Sequence, residues 1–125
     1  MEIVLDTNAL IYAAKYKIDI IKMIRQTLGM TGVYVPNLVV SELKNLSKNA
    51  DKKSDKDAAW LAYQIVTKSK ITEIELTGKT DEAIMAYAAG HGASVLTNDT
   101  MLKFKLKQLG VKVYNIRQKK LVEEA

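Results

Sequence analysis

Short hydrophobic segments alternate with longer amphipathic ones along the whole chain. Five short segments rich in β-branched or aromatic residues are typical of strands, and they are residues 2–6, 33–36, 71–76, 94–97 and 112–115. The segments between them place apolar residues at helical spacing and predict helices at 8–16, 19–28, 37–47, 55–69, 81–89 and 99–109. Strands that alternate with helices predict right-handed crossovers and a mostly parallel sheet covered on both faces. The pattern therefore predicts an α/β fold, a three-layer α/β/α sandwich.

The segment of the last predicted helix, "LKFKLKQLG", fits two structures, because its apolar residues also alternate with the period of a strand. Leu102, Leu106 and Leu109 share one face of a helix, and Asn98 and Gly110 bracket the segment as cap residues. We therefore predict a helix here.

Two polar stretches are predicted to lie outside the regular elements. "KNLSKNADKKSDKD" at 44–57 is highly charged and indicates a helix end followed by a mobile loop. Residues 116–125 form a basic and then acidic tail that we expect to fray. The chain is otherwise one predicted domain, residues 1–125.

The composition narrows the chemistry that the chain could perform. Its 125 residues suffice for one domain with a real core, and 48% are hydrophobic and 26% charged. The absence of Cys excludes disulfides, thiolate zinc sites and cysteine nucleophiles, and a single His excludes imidazole-rich metal sites. No apolar run is long enough to cross a bilayer, and Glu2 and Asp6 stand where a signal peptide would be basic. We expect a cytoplasmic protein with no membrane partner, and its net charge of +5 suggests a polyanion as partner.

Two carboxylates follow predicted strands. Asp6 ends the first strand in "LDTN", and Asp99 follows the fourth strand in "TND". Each suits a helix N-cap, and taken alone that interpretation is the more common one. In open α/β sheets, however, ligands bind outside the carboxyl ends of the strands, where both residues would lie.

Two more carboxylates occupy the inner faces of predicted helices. Glu42 lies in the apolar row of Leu38 and Leu46, where a charge requires a partner or a rim position half in solvent. Asp81 is the first residue of a predicted helix and lies in the same row of side chains as the apolar Ile84. An acid at this position also complements the helix dipole. The four acids together are a more specific signal than any one of them.

A cluster of carboxylates is costly unless a cation neutralises it. At an effective dielectric of 20, two carboxylates about 5 Å apart repel by roughly 3 kcal/mol. Oxygen ligands suit Mg²⁺ or Mn²⁺, and such ions activate water for attack on phosphorus. The cluster therefore predicts metal-dependent hydrolysis of a phosphodiester.

The ordered set of motifs resembles the PIN-domain nuclease family over essentially the whole chain. The motifs are "LDTN", "VPNLVVSEL", "TDEAI" and "TND". The resemblance implies a five-stranded parallel sheet of order 3-2-1-4-5, and it implies cleavage of single-stranded or structured RNA. It also implies that Asp6, Glu42, Asp81 and Asp99 are the catalytic and metal-binding residues of a Mg²⁺ or Mn²⁺ site. We expect Asp6, Asp81 and Asp99 to hold the metal directly, Glu42 to complete the site by activating or positioning water, and Asn8 and Thr97 to support the pocket.

The family includes two kinds of small protein that this chain resembles. One is the VapC-type toxin of toxin–antitoxin pairs, and the other is the nuclease that processes ribosomal RNA precursors. The ending "VYNIRQKKLVEE" is more similar to archaeal PIN proteins related to the second kind. The resemblance implies RNA as substrate, an antitoxin or a ribosomal precursor particle as partner, and a homodimer.

Basic and aromatic side chains are candidates for contact with RNA. The lysines that we predict to follow the RNA backbone are Lys44, Lys48, Lys52, Lys53, Lys103 and Lys107, with a solvated surface as the alternative. Tyr12, Tyr16, Trp60 and Tyr63 suit base stacking, but aromatic residues on amphipathic helices belong more often to a core or an interface.

Two other functions remain open from sequence. The first is a non-catalytic RNA-binding or assembly module that keeps the fold but has an idle metal site. The second is a phosphotransfer domain with a strand-end aspartate, although "LDTN" lacks the second aspartate that usually accompanies the nucleophile. Neither GxGxxG nor a P-loop is present, which argues against nucleotide binding.

Overall fold

The computed structural model describes residues 1–29, 32–69 and 71–124. Strands and helices alternate through these ranges as the sequence predicts. The strands are β1 (Glu2–Leu5), β2 (Gly32–Pro36), β3 (Thr72–Ile74), β4 (Ser94–Leu96), β5 (Val113–Arg117) and β6 (Lys120–Glu124). The helices are α1 (Thr7–Lys15), α2 (Ile20–Leu28), α3 (Asn37–Asn49), α4 (Lys53–Lys68), α5 (Thr80–His91) and α6 (Thr100–Gln108).

The strands form one sheet in the order β3-β2-β1-β4-β5-β6. The first five strands in this order are parallel, and β6 is antiparallel to β5. The predicted α/β fold and the order 3-2-1-4-5 are therefore confirmed, and the prediction of only five strands is corrected by β6. The chain leaves β1 towards β2 on one side and returns to β4 on the other, so a topological switch point lies between β1 and β4.

The two central strands are buried because each faces helices on both sides. Ile3, Val4 and Leu5 of β1 are fully buried, and so are Val95 and Leu96 of β4. This accounts for their continuous apolar sequence, since a strand covered on both faces has no polar alternation. The polar residues of the central strands therefore lie at or just beyond their ends, and Asp6 and Thr97 follow the carboxyl ends.

The stretch 44–57 contains the predicted helix end, but the loop after it is only residues 50–52, so the prediction of a loop over the rest of the stretch is wrong. Helix α3 continues to Asn49, whose Nδ2 donates to Asn45 Oδ1 over 2.8 Å one turn earlier. Helix α4 begins at Lys53, and Lys15 of α1 forms an ion pair with Asp55 in its first turn. The charged residues occupy solvent-facing sides of two helices, where polarity is compatible with helical structure.

Residues 120–124 of the predicted frayed tail form β6, while Ala125 lies outside the described residues. A two-residue turn at Gln118 and Lys119, with φ values of 51° and 60°, connects β5 to β6. Hairpin turns of this hand usually carry Asn or Gly, so the sequence gives no turn signal here. Leu121 is buried and attaches the strand to the core.

Glu124 links β6 to two other elements. Its carboxylate lies 3.2 Å from Lys103 Nζ, 3.6 Å from Lys107 Nζ and 3.2 Å from Arg117 Nη2. The Lys103 hydrogen bond is the main cause that holds the pKa of Glu124 below its usual range. The stabilisation is therefore present above the unfolded-state pKa and is lost as the pH falls through the lower folded-state pKa.

We expect Glu124→Gln to lower the free energy of unfolding at pH 7 by about 1 kcal/mol, because the variant breaks a network of three cations rather than one exposed pair. Urea denaturation at pH 7 and pH 3 measures the effect, which should shrink at pH 3. Glu123→Gln is the matched control, since Glu123 is 53% exposed and its only ion pair among the described residues spans 4.0 Å. Equal losses in the two variants would contradict the expectation.

Within the described ranges, no helix is long and apolar enough to cross a membrane.

Candidate active site

A pocket of about 390 Å³ opens at the carboxyl edge of the sheet. It contains all four acids that the sequence singles out and five other side chains from α1 and α3. Its lining consists of Asp6, Thr7, Asn8, Ile11, Glu42, Asn45, Leu46, Asp81 and Asp99. Among these described residues none is Lys or Arg, so the pocket concentrates negative charge. The structure thus brings together side chains from β1, α3, α5 and the β4–α6 connection.

Asp6 lies at the bottom of this pocket and is 5% exposed. It is the N-cap of α1, and its Oδ1 accepts the backbone N–H of Thr7 over 2.7 Å while its Oδ2 accepts Thr97 Oγ1 over 2.8 Å. Burial raises the pKa of the Asp6 carboxyl to about 6, and the negative charges of Asp81 and Glu42 add to this rise. The hydrogen bonds from Thr97 and Thr7 act in the opposite direction. Asp6 is therefore both a cap and a buried carboxylate with no cationic side chain beside it among the described residues.

Thr97 connects the ends of β1 and β4. Its hydroxyl lies 2.8 Å from Asp6 Oδ2 and 3.2 Å from Asn8 Oδ1, and it accepts the backbone N–H of Asp99 over 3.0 Å. Asn8 Oδ1 also accepts the backbone N–H of Asn98 over 3.1 Å. This is the supporting position that the resemblance implies for Asn8 and Thr97, since the network fixes Asp6 relative to the β4–α6 connection.

Glu42 reaches the pocket from α3, on the turn between the buried residues Val39 and Leu43. Its carboxylate accepts Thr7 Oγ1 and, over 3.1 Å, Thr80 Oγ1. The side chain is exposed, so its position in the helix corresponds to the rim alternative rather than to full burial. Two hydroxyls nevertheless hold its carboxylate between α1 and α5.

Asp81 and Asp99 complete the rim on the other side of the sheet. Asp81 is exposed in the first turn of α5, yet partial desolvation and the charges of Asp99 and Glu42 raise its pKa. Lys105 acts in the opposite direction. Asp99 is the N-cap of α6, because its Oδ1 accepts the backbone N–H of Leu102 over 2.9 Å. Asp99 therefore caps α6 and also lines the pocket, while its role as a metal ligand stays a prediction.

The chemistry of these donors fits a hydrated divalent cation. No three His, Asp or Glu side chains in the described ranges converge closely enough to hold an ion entirely by protein atoms. Mg²⁺ commonly takes only one or two carboxylates directly and keeps several waters, so it does not require such a cage. A buried carboxylate with a raised pKa, and with no cationic side chain beside it among the residues that the structure describes, is the group that such an ion would neutralise.

Sequence reasoning missed several groups that organise the pocket. Thr7 and Thr80 hold Glu42, and Asn98 joins the β4–α6 connection to β5 through two hydrogen bonds with the backbone of Ile116. Asn115 is buried one position beyond the Leu96–Tyr114 pair of β4 and β5, and its Oδ1 has no hydrogen-bond partner within the described residues. The "TND" and "LDTN" motifs contain two of these residues, but only their pairing across the sheet shows what they do.

The predicted RNA-binding lysines do not line the acidic pocket. Lys44 and Lys48 are exposed on α3, and Lys52 and Lys53 lie where α4 begins. Lys52 lines a neighbouring groove of about 470 Å³ that shares Ile11 and Leu46 with the acidic pocket. The role of these lysines in RNA binding stays a prediction.

Lys103 and Lys107 of α6 are turned towards β6, where Glu124 holds both ammonium groups. RNA binding by these two side chains also stays a prediction. A different lysine of the same helix, Lys105, acts to lower the pKa of Asp81 through its positive charge.

The four aromatic side chains form two pairs away from the acidic pocket. Tyr12 and Tyr16 have ring centroids 4.5 Å apart, and Trp60 and Tyr63 stack at 5.8 Å. Tyr16 and Trp60 are about half exposed, while Tyr12 and Tyr63 pack partly against the core. None of the four lines the acidic pocket.

Comparison with known sequences places this fold and pocket in one family. The profile of the family described as "PIN like domain" matches residues 3–119, nearly the whole chain. The chain therefore belongs to the PIN-like domain family, which confirms the resemblance seen in the motifs.

Two curated relatives align over almost their full length. The chain is 35% identical to Ribonuclease VapC4 of Methanocaldococcus jannaschii, with 98% of this chain and 95% of the relative covered. It is 31% identical to Ribonuclease VapC9 of Archaeoglobus fulgidus, with 95% of this chain and 85% of the relative covered.

Solved structures show the same fold at lower sequence identity. The PIN domain endonuclease Utp24 superposes with a TM-score of 0.83 at 22% identity, over 98% of this chain and 90% of that one. A chain of VapBC2 from Rickettsia felis, solved bound to a DNA fragment from their promoter, superposes with a TM-score of 0.62 at 17% identity, over 92% and 98%.

Proposed function

We propose that this protein is a metal-dependent endoribonuclease of the VapC type that hydrolyses RNA phosphodiester bonds. The observation that carries the proposal is the pocket at the switch point, where four carboxylates from four separate parts of the chain meet without a Lys or Arg in the described lining. The family and the two relatives named as ribonucleases support RNA as the substrate.

Each pocket residue has a role that follows from its position. Asp6, Asp81 and Asp99 would hold Mg²⁺ or Mn²⁺ partly through its water ligands, since no three acids of the described residues converge on one point. When bound, the ion supplies acidified water and stabilises charge on the phosphate. Glu42 would orient the attacking water, because its carboxylate faces the pocket from α3 and is fixed by two hydroxyls. Thr97 and Asn8 would keep Asp6 in place through the hydrogen bonds described above.

The VapC relatives favour a toxin–antitoxin context over ribosomal RNA processing. Identities of 31–35% over nearly full lengths support the VapC assignment, whereas the likeness to Utp24 at 22% identity extends to the fold alone. The two relatives named VapC support an antitoxin as the partner of this chain, whereas the likeness to the VapBC2 chain at 17% identity also extends to the fold alone. A homodimer belongs to the same proposal, with the exposed rings of Tyr16 and Trp60 as one surface to test.

The proposal is tested by incubating purified protein with single-stranded and hairpin RNAs in Mn²⁺, Mg²⁺ or EDTA. We expect cleavage with metal and none in EDTA. Asp81→Asn should lower the cleavage rate roughly tenfold, because an amide oxygen is a weaker ligand for a hard cation than a carboxylate.

Glu82→Gln is the matched control for this variant. Glu82 is the next acid in the first turn of α5, is also exposed and does not line the pocket, so its loss should leave the rate unchanged. Cleavage that survives EDTA, or equal losses in both variants, would contradict the proposal. Intact RNA binding without cleavage under every metal condition would favour the non-catalytic binding module.

A further inference from the structure

Helix α6 presents a solvent-facing surface that none of the described elements covers. Met101 is 63% exposed and Phe104, the only Phe of the chain, is 59% exposed. Lys105 is also exposed and lies four positions after Met101, so the three side chains share neighbouring rows of the helix. We call Met101, Phe104 and Lys105 the α6 surface.

The contacts of the other sides of α6 determine where this surface lies. Leu102 and Leu106 are buried in the core. On one flank of the helix, Lys103 and Lys107 form ion pairs with Glu124 of β6. The opposite flank carries Lys105 and packs towards α5, which is why its charge affects Asp81. The α6 surface therefore adjoins the acidic pocket and faces away from β6.

The distance from the pocket suits one nucleotide. Asp99 caps α6 and lines the pocket, and Phe104 follows five residues later, which is about 7.5 Å along a helix axis at 1.5 Å per residue.

Charge complementarity identifies the occupant. The described lining of the pocket is acidic, so a phosphate chain that enters it needs a cation at the rim. Among the lysines of α6, Lys103 and Lys107 are paired with a carboxylate, whereas none of the ion pairs in the described part of the chain involves Lys105. An exposed aromatic ring beside a free ammonium group is the combination by which proteins bind single strands, because it stacks a base and holds its phosphate.

Building on the proposed function, we infer that the α6 surface binds single-stranded RNA beside the acidic pocket. Phe104 stacks on the base of the nucleotide adjacent to the cleaved bond, Met101 packs against the same base, and Lys105 holds the neighbouring phosphate. A base in a duplex has both faces occupied, so the surface selects unpaired nucleotides at this position.

Binding is measured by fluorescence anisotropy of a labelled ten-nucleotide oligouridine in EDTA, so that cleavage plays no part. We expect Phe104→Ala to weaken binding about tenfold and Phe104→Trp to preserve it, since stacking on one base is worth about 1–3 kcal/mol. Lys105→Gln should weaken binding several-fold and reduce the slope of log K against log salt by about 0.7, the value for one phosphate contact on a single strand.

Two matched controls separate this surface from general effects. Leu109→Ala removes another large exposed side chain, 54% exposed, that lies in a different groove with Met1 and Gly92. Lys112→Gln removes the same charge at an exposed position that lines the same groove as Leu109. Neither variant should change binding of the oligouridine.

Three results with Phe104→Ala would overturn the inference. The variant could bind the oligouridine as tightly as Leu109→Ala does, or it could lose as much affinity for a duplex of the same length. It could also change the molar mass measured by light scattering, which would identify the α6 surface as a protein contact. Wild-type protein that binds no single strand would overturn it as well. Failure of the proposed function is distinguished by the cleavage assay in Mn²⁺ and EDTA, which does not depend on these variants.

Discussion

Asp6→Asn protein is expected to cleave RNA at least about a hundredfold more slowly than wild type while remaining folded. Asp6 is the most deeply buried of the four acids, and its carboxylate stands between Thr97 and the charges of Asp81 and Glu42. Replacing the carboxylate by an amide removes the negative charge that would bind the cation, and losses of 10²–10³ are usual for one preorganised electrostatic group. A hundredfold loss corresponds to about 2.7 kcal/mol of transition-state stabilisation.

The fold should tolerate this change because Asn is nearly isosteric with Asp. The amide oxygen can still accept the backbone N–H of Thr7 at the N-cap of α1, a role in which Asn is as good as Asp. Thr97 Oγ1 lies 3.2 Å from Asn8 Oδ1 and can donate there instead. Circular dichroism and thermal unfolding verify that the variant is native, and cleavage of the same RNA in Mn²⁺ gives the rate.

Asp57→Asn is the control for this measurement, because Asp57 is an exposed acid of α4 outside the pocket. Equal activity of Asp6→Asn and wild type, in a preparation free of contaminating nuclease, would reduce Asp6 to a helix cap. The site would then have to be sought elsewhere in the molecule.

The second large effect is a pH dependence of stability in metal-free protein. The pKa of Asp6 rises from 3.8 to about 6 on folding, mainly because burial disfavours the charged form. Between these pH values the folded state binds more protons than the unfolded state. The contribution of Asp6 therefore lowers the free energy of unfolding as the pH rises from about 4 to 6. A shift of this size corresponds to on the order of 3 kcal/mol, at about 1.4 kcal/mol per pKa unit.

The effect is isolated by comparing wild type with Asp6→Asn, since other carboxyls titrate in the same range. Asp55 and Glu124 have lowered pKa values and contribute in the opposite direction. Urea denaturation in EDTA at pH 4, 5, 6 and 7 should show Asp6→Asn gaining stability over wild type as the pH rises. Addition of Mg²⁺ at pH 7 should restore the wild type and leave the variant unchanged, because a ligand stabilises only the state that binds it. A stability difference that is constant with pH would mean that Asp6 folds with an ordinary pKa.

The candidate site shows how far local sequence patterns reach. Asp6 follows β1 directly and Asp99 follows β4 after Thr97 and Asn98, so their place at the edge of the sheet follows once the strands are recognised. Glu42 and Asp81 were found because each interrupts an apolar row of a helix. All four line one pocket in the structure, while their roles as ligands stay proposals.

The basic residues show where such reasoning stops. The helical period places Lys103 and Lys107 on one flank of α6 and Lys105 on the other, so that much is local. Only the structure shows that Glu124, 21 residues after Lys103, pairs with the first two, while the charge of Lys105 acts on Asp81. No local pattern contains the pairing with Glu124.

The sequence by itself determined the α/β class, the alternation of elements and the family, because periodicity, caps and motif order depend on residues close together in the chain. The tertiary structure decided three further features: the antiparallel strand β6, the helical state of most of 44–57 and the pairing of two α6 lysines with Glu124. The reason is physical, since β6 follows a turn without Asn or Gly, and its place depends on pairing with β5 and burial of Leu121. Interactions between distant residues become definite only when the chain has packed.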